Sequence, residues 1–217
     1  LGLIGCGTLG TFLLERLNQN DELQGVKVIS VLDEREKSKV KLKEIEKDFA
    51  VDAYDDVQAF LQSDIDVVVE CANIEAVKQY APQVIRSKDL IVISIGAFAD
   101  TQFYQELQQI ASEHEHKLIL PSGGIGGLDL LKAAKLSGGL EEVMITTRKP
   151  AASLINEDIQ TEKIVFDGVA KEAIEKFPKN INVGIMLSLA GLGPEETKVR
   201  LVADPMIDKN QHTIEIS

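Results

Sequence analysis

Residues 1–19, LGLIGCGTLGTFLLERLNQ, decide how the chain is read. The first four residues form an apolar strand that runs into a loop with glycines at 5, 7 and 10. Leu9, Phe12, Leu13 and Leu17 then recur at helical spacing. A G-x-G-x-x-G loop means little alone, but strand before and helix after supply the context the motif needs. In that context each glycine has its own task. Gly5 allows the tight turn, Gly7 lets backbone approach a pyrophosphate, and Gly10 lets the helix pack against the strand. The first helical turn offers unpaired N–H groups to the anion. Cys6, Thr8 and Leu9, between the glycines, belong to the same contact. Cys6 reads as a small side chain fitted into the loop, not as a redox group.

The pattern continues outward from this loop. VKVISVLD (26–33) reads as a second strand, with Asp33 at its end as an acceptor for ribose hydroxyls. Asp33 favours NAD, whereas Arg35 nearby would suit a 2′-phosphate, so the residues leave NAD and NADP both open. The segments 34–49, 55–63, 74–87 and 100–114 read as helices. DIDVVVECA (64–72), LIVIS (90–94) and HKLILP (116–121) read as strands, the first ending in Cys71 and Ala72. Ligands collect at such strand ends in open parallel sheets. Alternation at this pitch gives an α/β class: a Rossmann-type parallel sheet with helices on both faces, over residues 1–120.

Near Pro121 the pattern changes. PSGGIGGLDLLKAAK is a second glycine-rich turn into a helix, and it lacks the Lys-Ser/Thr of a nucleotide P-loop. It is either a carboxylate-holding turn, through Ser122 and Gly123, or a plain crossing between domains. Strands at 141–149, 162–168, 197–204 and 211–217, with few long helices between them, point to a smaller α+β domain with a mixed sheet over residues 121–217. Residues 151–161 read as a mobile loop.

Bulk properties narrow the function classes. The chain has 217 residues, 44% of them hydrophobic, enough for a core in each of two domains. A net charge of −12 argues against nucleic acid and anionic membranes as partners. No run of eighteen apolar residues or export signal is visible, and the two cysteines are too few for a disulfide framework. These features point to the cytoplasm. Residue 1 already lies within a strand, so the start reads as trimmed. No metal is expected: His114 and His116, in EHEHK, read as surface residues among solvated acids.

Several stretches carry a more specific likeness: VVVECAN, EAVKQYAP, VISIGAFAD, PSGGIGGLD, TTRKP, KFPKNINV, VADP and NQHTI. In this order, and over nearly the whole chain, they resemble the prokaryotic L-aspartate dehydrogenases. The resemblance implies a Rossmann domain followed by an α/β domain that carries the substrate site and the contacts of a homodimer. It implies oxidation of L-aspartate with NAD or NADP to iminoaspartate, which feeds NAD biosynthesis or hydrolyses to oxaloacetate and ammonia. Carried onto this chain, the family's active-site histidine falls on His212, and cofactor contacts fall on Asn182 and on Gly124, where the family usually has alanine. The family continues past HTIEIS, so the resemblance implies a domain truncated at its C-terminal end.

The chemistry sets further requirements. Removing a hydride from Cα demands that the ammonium group also lose a proton, and hydrolysis of the imine needs an activated water. One group titrating near neutrality serves both steps. From the residues alone, His212 is either that group or an ordinary strand histidine, and the resemblance selects the first. A dianionic substrate on an acidic protein requires local cations. Candidates are the helix start at 123–128, Arg148, Lys149, Lys171 and Lys179, with Asn210 as an orienting amide. Two rivals stand beside this reading: a dehydrogenase of another small amino acid or dicarboxylate, and an NAD-binding sensor without turnover.

Overall fold

The computed structural model describes residues 1–33, 39–177 and 182–217, which form two compact units, Leu1–Pro121 and Ser122–Ser217. In the first unit β1 (Gly2–Ile4), α1 (Thr8–Leu14), β2 (Ser30–Leu32), α2 (Lys39–Phe49), β3 (Asp52–Tyr54) and α3 (Val57–Leu61) build one half. The other half is β4 (Val67–Glu70), α4 (Ile74–Val84), β5 (Asp89–Val92), α5 (Thr101–Glu113) and β6 (Leu118–Ile119). All six strands are parallel, in the order β3-β2-β1-β4-β5-β6. Strand order therefore reverses between β1 and β4, and the crevice beyond their carboxyl ends is where such sheets bind ligands.

Every residue of β1 and β2 is buried, as expected of strands covered on both faces. Leu3, Val31 and Val69 join Leu14, Leu42 and Ile45 in a core cluster on the α1–α2 side. Against the opposite face, Phe60 of α3 packs so close to Gly2 that a Cβ there would lie 2.5 Å from the ring. The sequence reading missed β3. Its residues are polar or only partly buried, because it is an edge strand, so no apolar run announces it. The first helix is shorter than its pattern suggests, and continues as a π-helical turn over Glu15–Gln19.

The second unit contains α6 (Leu128–Leu136), β7 (Val143–Pro150), β8 (Lys163–Val169), α7 (Ala170–Lys176), α8 (Asn182–Ala190), β9 (Lys198–Asp204) and β10 (Gln211–Ile216). Its sheet is mixed, in the order β10-β7-β9-β8: β7 and β9 run parallel, and both edges are antiparallel. Residues alternate between faces with the two-residue period of a strand. Ile145 pairs with Val199 and Thr147 with Leu201, and these four are buried together with Val143. Gly191, after α8, sits where a Cβ would touch Val143 and Leu131, so helices cover this face. The other face carries Thr146, Arg148, Arg200, Val202 and Ile164, and Ile164 is 57% exposed. The segment after β7 opens with a 3₁₀ turn, Ala151–Ser153, closed by the Ser153 hydroxyl donating to the Pro150 carbonyl.

Phe60 has no exposed surface and meets Tyr54 edge-on, with ring centroids 6.1 Å apart. Phe60→Ala is expected to cost about 3–5 kcal/mol, the usual range for emptying a buried aromatic site. Urea unfolding of the variant, read as a lower midpoint than wild type, checks this.

Candidate functional site

In the first unit the site is built around the glycine loop. Gly5 has φ +96, and a Cβ there would stand 2.6 Å from the Ala72 methyl. A Cβ on Gly10 would run into the Gly5 carbonyl, with Cys71 Sγ 3.4 Å behind. Helix and strand ends therefore meet at backbone contact. Gly7 is the opposite case: among the described residues nothing lies within 4 Å of where its Cβ would be. It is also the N-cap of α1 and supplies no side-chain cap, so the first-turn N–H groups are left for another acceptor. Thr8 and Leu9 are exposed beside it, and Cys6 is buried.

A cleft opens next to this loop, lined by Gly5, Asp33, Ala72, Asn73, Gln79 and Tyr80 among others. Asp33, only 6% exposed, follows β2, with its N–H donating to the Tyr54 carbonyl at 3.1 Å. Asn73 caps α4 by accepting from the Ala76 N–H at 2.9 Å. Open space at Gly7, a bare helix start and an acid at the cleft edge together fit a dinucleotide, pyrophosphate at the loop and ribose at Asp33. Cys71 donates its thiol to the Gly5 carbonyl at 3.2 Å. Burial, then the charges of Glu70 and Cys6, pushes its pKa up to about 12, so it is a packing group and not a nucleophile.

Two residues here escaped the sequence reading. Glu70 ends β4 with 1% exposure, and its carboxylate accepts from the Ala72 N–H at 2.8 Å, the Ser94 N–H at 3.0 Å and the Ser94 hydroxyl at 2.9 Å. It ties together the loops after β4 and β5. Burial pushes its pKa up, and the donated hydrogen bonds pull it back. A carboxylate closing the apolar run VVVE was the available signal. Lys41 of α2 donates through Nζ to the Cys6 carbonyl, placing a cation at the loop. No motif marks it, because the contact spans 35 residues of chain.

In the second unit the alternation of β7 separates two neighbours that the sequence treated as a pair. His212 lies opposite Thr147 on β10, and Gln211 opposite Arg148. His212 thus shares its face with Thr147 and Lys149. Arg148 stands on the other face, its Nε 3.3 Å from Glu162, so the structure does not bring it to His212. The His212 Nδ1 is 3.0 Å from the Thr147 hydroxyl. Its pKa is lowered from the ordinary histidine value, first by desolvation against the sheet and then by the Lys149 cation; desolvation lowers that of Lys149 too.

Asn210 and Lys149 lie one residue beyond the Gln211–Arg148 pair on their strands. Asp204 accepts from the Met206 N–H at 2.8 Å and closes the turn that leads to Asn210. Ser122, Gly123 and Gly124 are exposed in the turn before α6, where the Ile125 N–H donates to the Ser122 carbonyl. Gly123 has φ +60, whereas a methyl on Gly124 would meet nothing within 4 Å among the described residues, which leave room there for alanine. Asn182 is the exposed first residue of α8. Lys171 is held by Glu195 at 2.7 Å. Arg35 and Lys179 lie outside the described residues. His116 is engaged with Asp89 at 3.3 Å, and among the described residues no group of three or more His, Cys, Asp or Glu is placed to hold a metal ion.

Comparison with known proteins identifies the chain's relatives. Residues 129–217 match the family model "Aspartate dehydrogenase, C-terminal", and residues 5–121 match "Homoserine dehydrogenase, NAD binding domain". The chain is 37% identical to the L-aspartate dehydrogenase of Methanocaldococcus jannaschii, over 99% of this chain and 81% of that protein. It is 38% identical to that of Nitrosopumilus maritimus, over 100% and 82%. The crystal structure of aspartate dehydrogenase from Thermotoga maritima is similar with a TM-score of 0.79 and 36% identity, covering 100% of this chain and 83% of that one. An apo scyllo-inositol dehydrogenase from Lactobacillus casei, at TM-score 0.61 and 15% identity, shares the fold alone. The chain belongs to the aspartate dehydrogenase family.

Proposed function

We propose that this chain is an oxidoreductase that converts L-aspartate to iminoaspartate with NAD(P)+, and that His212 exchanges the proton. The observation that carries the reading is His212 and Lys149 on one face of β7 and β10, in a chain similar throughout its length to L-aspartate dehydrogenases. The dinucleotide is held by Gly5, Cys6, Gly7, Thr8, Leu9 and Gly10, with Asp33 on the ribose and Cys71 and Ala72 forming the cleft floor. Gly124 and Asn182 are assigned to the same cofactor. Held there, the oxidised dinucleotide would supply the acceptor for the hydride lost from Cα.

The chain's own groups do the rest. Histidine kept neutral by desolvation and by a neighbouring cation is a ready acceptor for a proton from the α-ammonium group; once it has passed that proton to solvent, it is again neutral and takes one from the water that attacks the imine. Lys149 pairs with a substrate carboxylate. The turn at Ser122 and Gly123, together with Asn210, supplies uncharged donors. Iminoaspartate released in this way supplies NAD biosynthesis or hydrolyses to oxaloacetate and ammonia. A homodimer is proposed, for which the uncovered face of the second sheet around Ile164 is the surface on offer. No helix among the described residues is long and apolar enough to cross a membrane. A cytoplasmic location is proposed from the buried thiols of Cys6 and Cys71, which form no disulfide.

His212→Ala is expected to lower kcat on the order of 10²-fold while leaving the Kd for NAD+ near wild type. Reduced-nicotinamide absorbance with L-aspartate, paired with calorimetry, measures both, and undiminished turnover would remove His212 from the role. The plot of kcat/KM against pH should rise as His212 loses its proton. Because its pKa is depressed, that rise should fall below the ordinary histidine value of 6.5. An acid limb above that value would contradict the assignment.

A further inference from the structure

Thr147 has had no part so far, yet it is the side chain that touches His212. It sits on β7 directly across the ladder, and its hydroxyl is 3.0 Å from Nδ1. The two partners differ in setting: Thr147 is 4% exposed, whereas His212 is on the open edge strand. A buried β-branched side chain has little χ1 freedom, so this hydroxyl is a fixed point against which the ring is held. Among the described residues Nε2, on the other edge of the ring, has no hydrogen-bond partner, and Nδ1 has this one.

A threonine hydroxyl can donate one hydrogen bond and accept others, so two arrangements satisfy this distance. If Thr147 donates, Nε2 carries the ring proton and has no lone pair to offer. If Thr147 accepts from Nδ1–H, Nε2 is the free base. Only the second also fits the protonated ring, in which Nδ1–H must keep an acceptor. Resting on the reading of His212 as proton acceptor, we propose that Thr147 is a positioning residue: its hydroxyl accepts from Nδ1–H, fixes the tautomer and reserves Nε2 for the proton of the substrate. The competing account is that threonine merely packs across from histidine on an edge strand. The two differ over whether the hydroxyl itself matters.

The test compares Thr147→Val, which keeps the shape and removes the hydroxyl, with Thr147→Ser, which keeps the hydroxyl. The readouts are the pH profile of kcat/KM for L-aspartate, the Kd for NAD+, and the ¹⁵N shifts of the His212 ring in the cofactor-free protein. In Thr147→Val, kcat/KM should fall about tenfold or more, a typical cost for a misoriented acid–base group. Its acid limb should move to lower pH, because the imidazolium has lost an acceptor, and the Nδ1–H tautomer should give way to a mixture. Thr147→Ser should restore all three, and the Kd for NAD+ should stay unchanged throughout. An unshifted limb with an unchanged tautomer in Thr147→Val overturns the proposal, and so does a serine variant as impaired as the valine one. His212→Ala separates the two failures. Normal turnover there removes the proton-acceptor reading and this proposal with it. An inactive His212→Ala beside an unaffected Thr147→Val removes only the role of Thr147.

Discussion

The N-terminal unit depends on a contact made without side chains. Gly10 lies against the Gly5 carbonyl, and Gly5 against Ala72, at distances that leave no room for a Cβ. This brings the start of α1 down onto the carboxyl end of β1, beside the end of β4. Because strand order reverses between β1 and β4, the chain departs to opposite sides there and leaves a crevice. The residues of this unit assigned to the dinucleotide, from Gly5 to Gly10 with Asp33, Cys71 and Ala72, are arranged around that point. The open space at Gly7 and the uncapped first turn follow from the same packing, since a bulkier loop would fill one and cover the other.

Around this contact the structure spends polar groups sparingly and in specific places. Glu70 is buried at the crevice, and it is tolerated because three donors reach its carboxylate. In holding Ala72 and Ser94 it keeps two neighbouring loops in register with the glycine turn. Lys41 adds a cation on the Cys6 carbonyl, in a chain whose overall charge is strongly negative.

The C-terminal unit follows a different constraint, the two-residue period of β7. Val143, Ile145 and Thr147 face the helices, while Met144, Thr146 and Arg148 face away. Antiparallel pairing with β10 then sorts His212 with Thr147 and Lys149, and Gln211 with Arg148. Desolvation and a like charge both press His212 toward its neutral form. The same alternation sends Arg148 to Glu162 and leaves Lys149 as the cation on the histidine's side.

Much of this was legible in the chain itself. The glycine loop between strand and helix, the apolar runs of β4 and β5, and the change of pattern near Pro121 come from residues close in sequence, where hydrophobic period and backbone freedom act locally. These determined the α/β class, the mixed second sheet and the position of the cofactor loop. The polar edge strand β3 was not legible, because an edge strand needs no apolar run. Tertiary structure alone decided which of Arg148 and Lys149 accompanies His212, that Thr147 touches its ring across 65 residues of chain, and that Lys41 reaches Cys6. Those outcomes rest on strand register and helix placement, which are fixed by burying whole faces against each other, and no local pattern records which distant residues that burial will bring together.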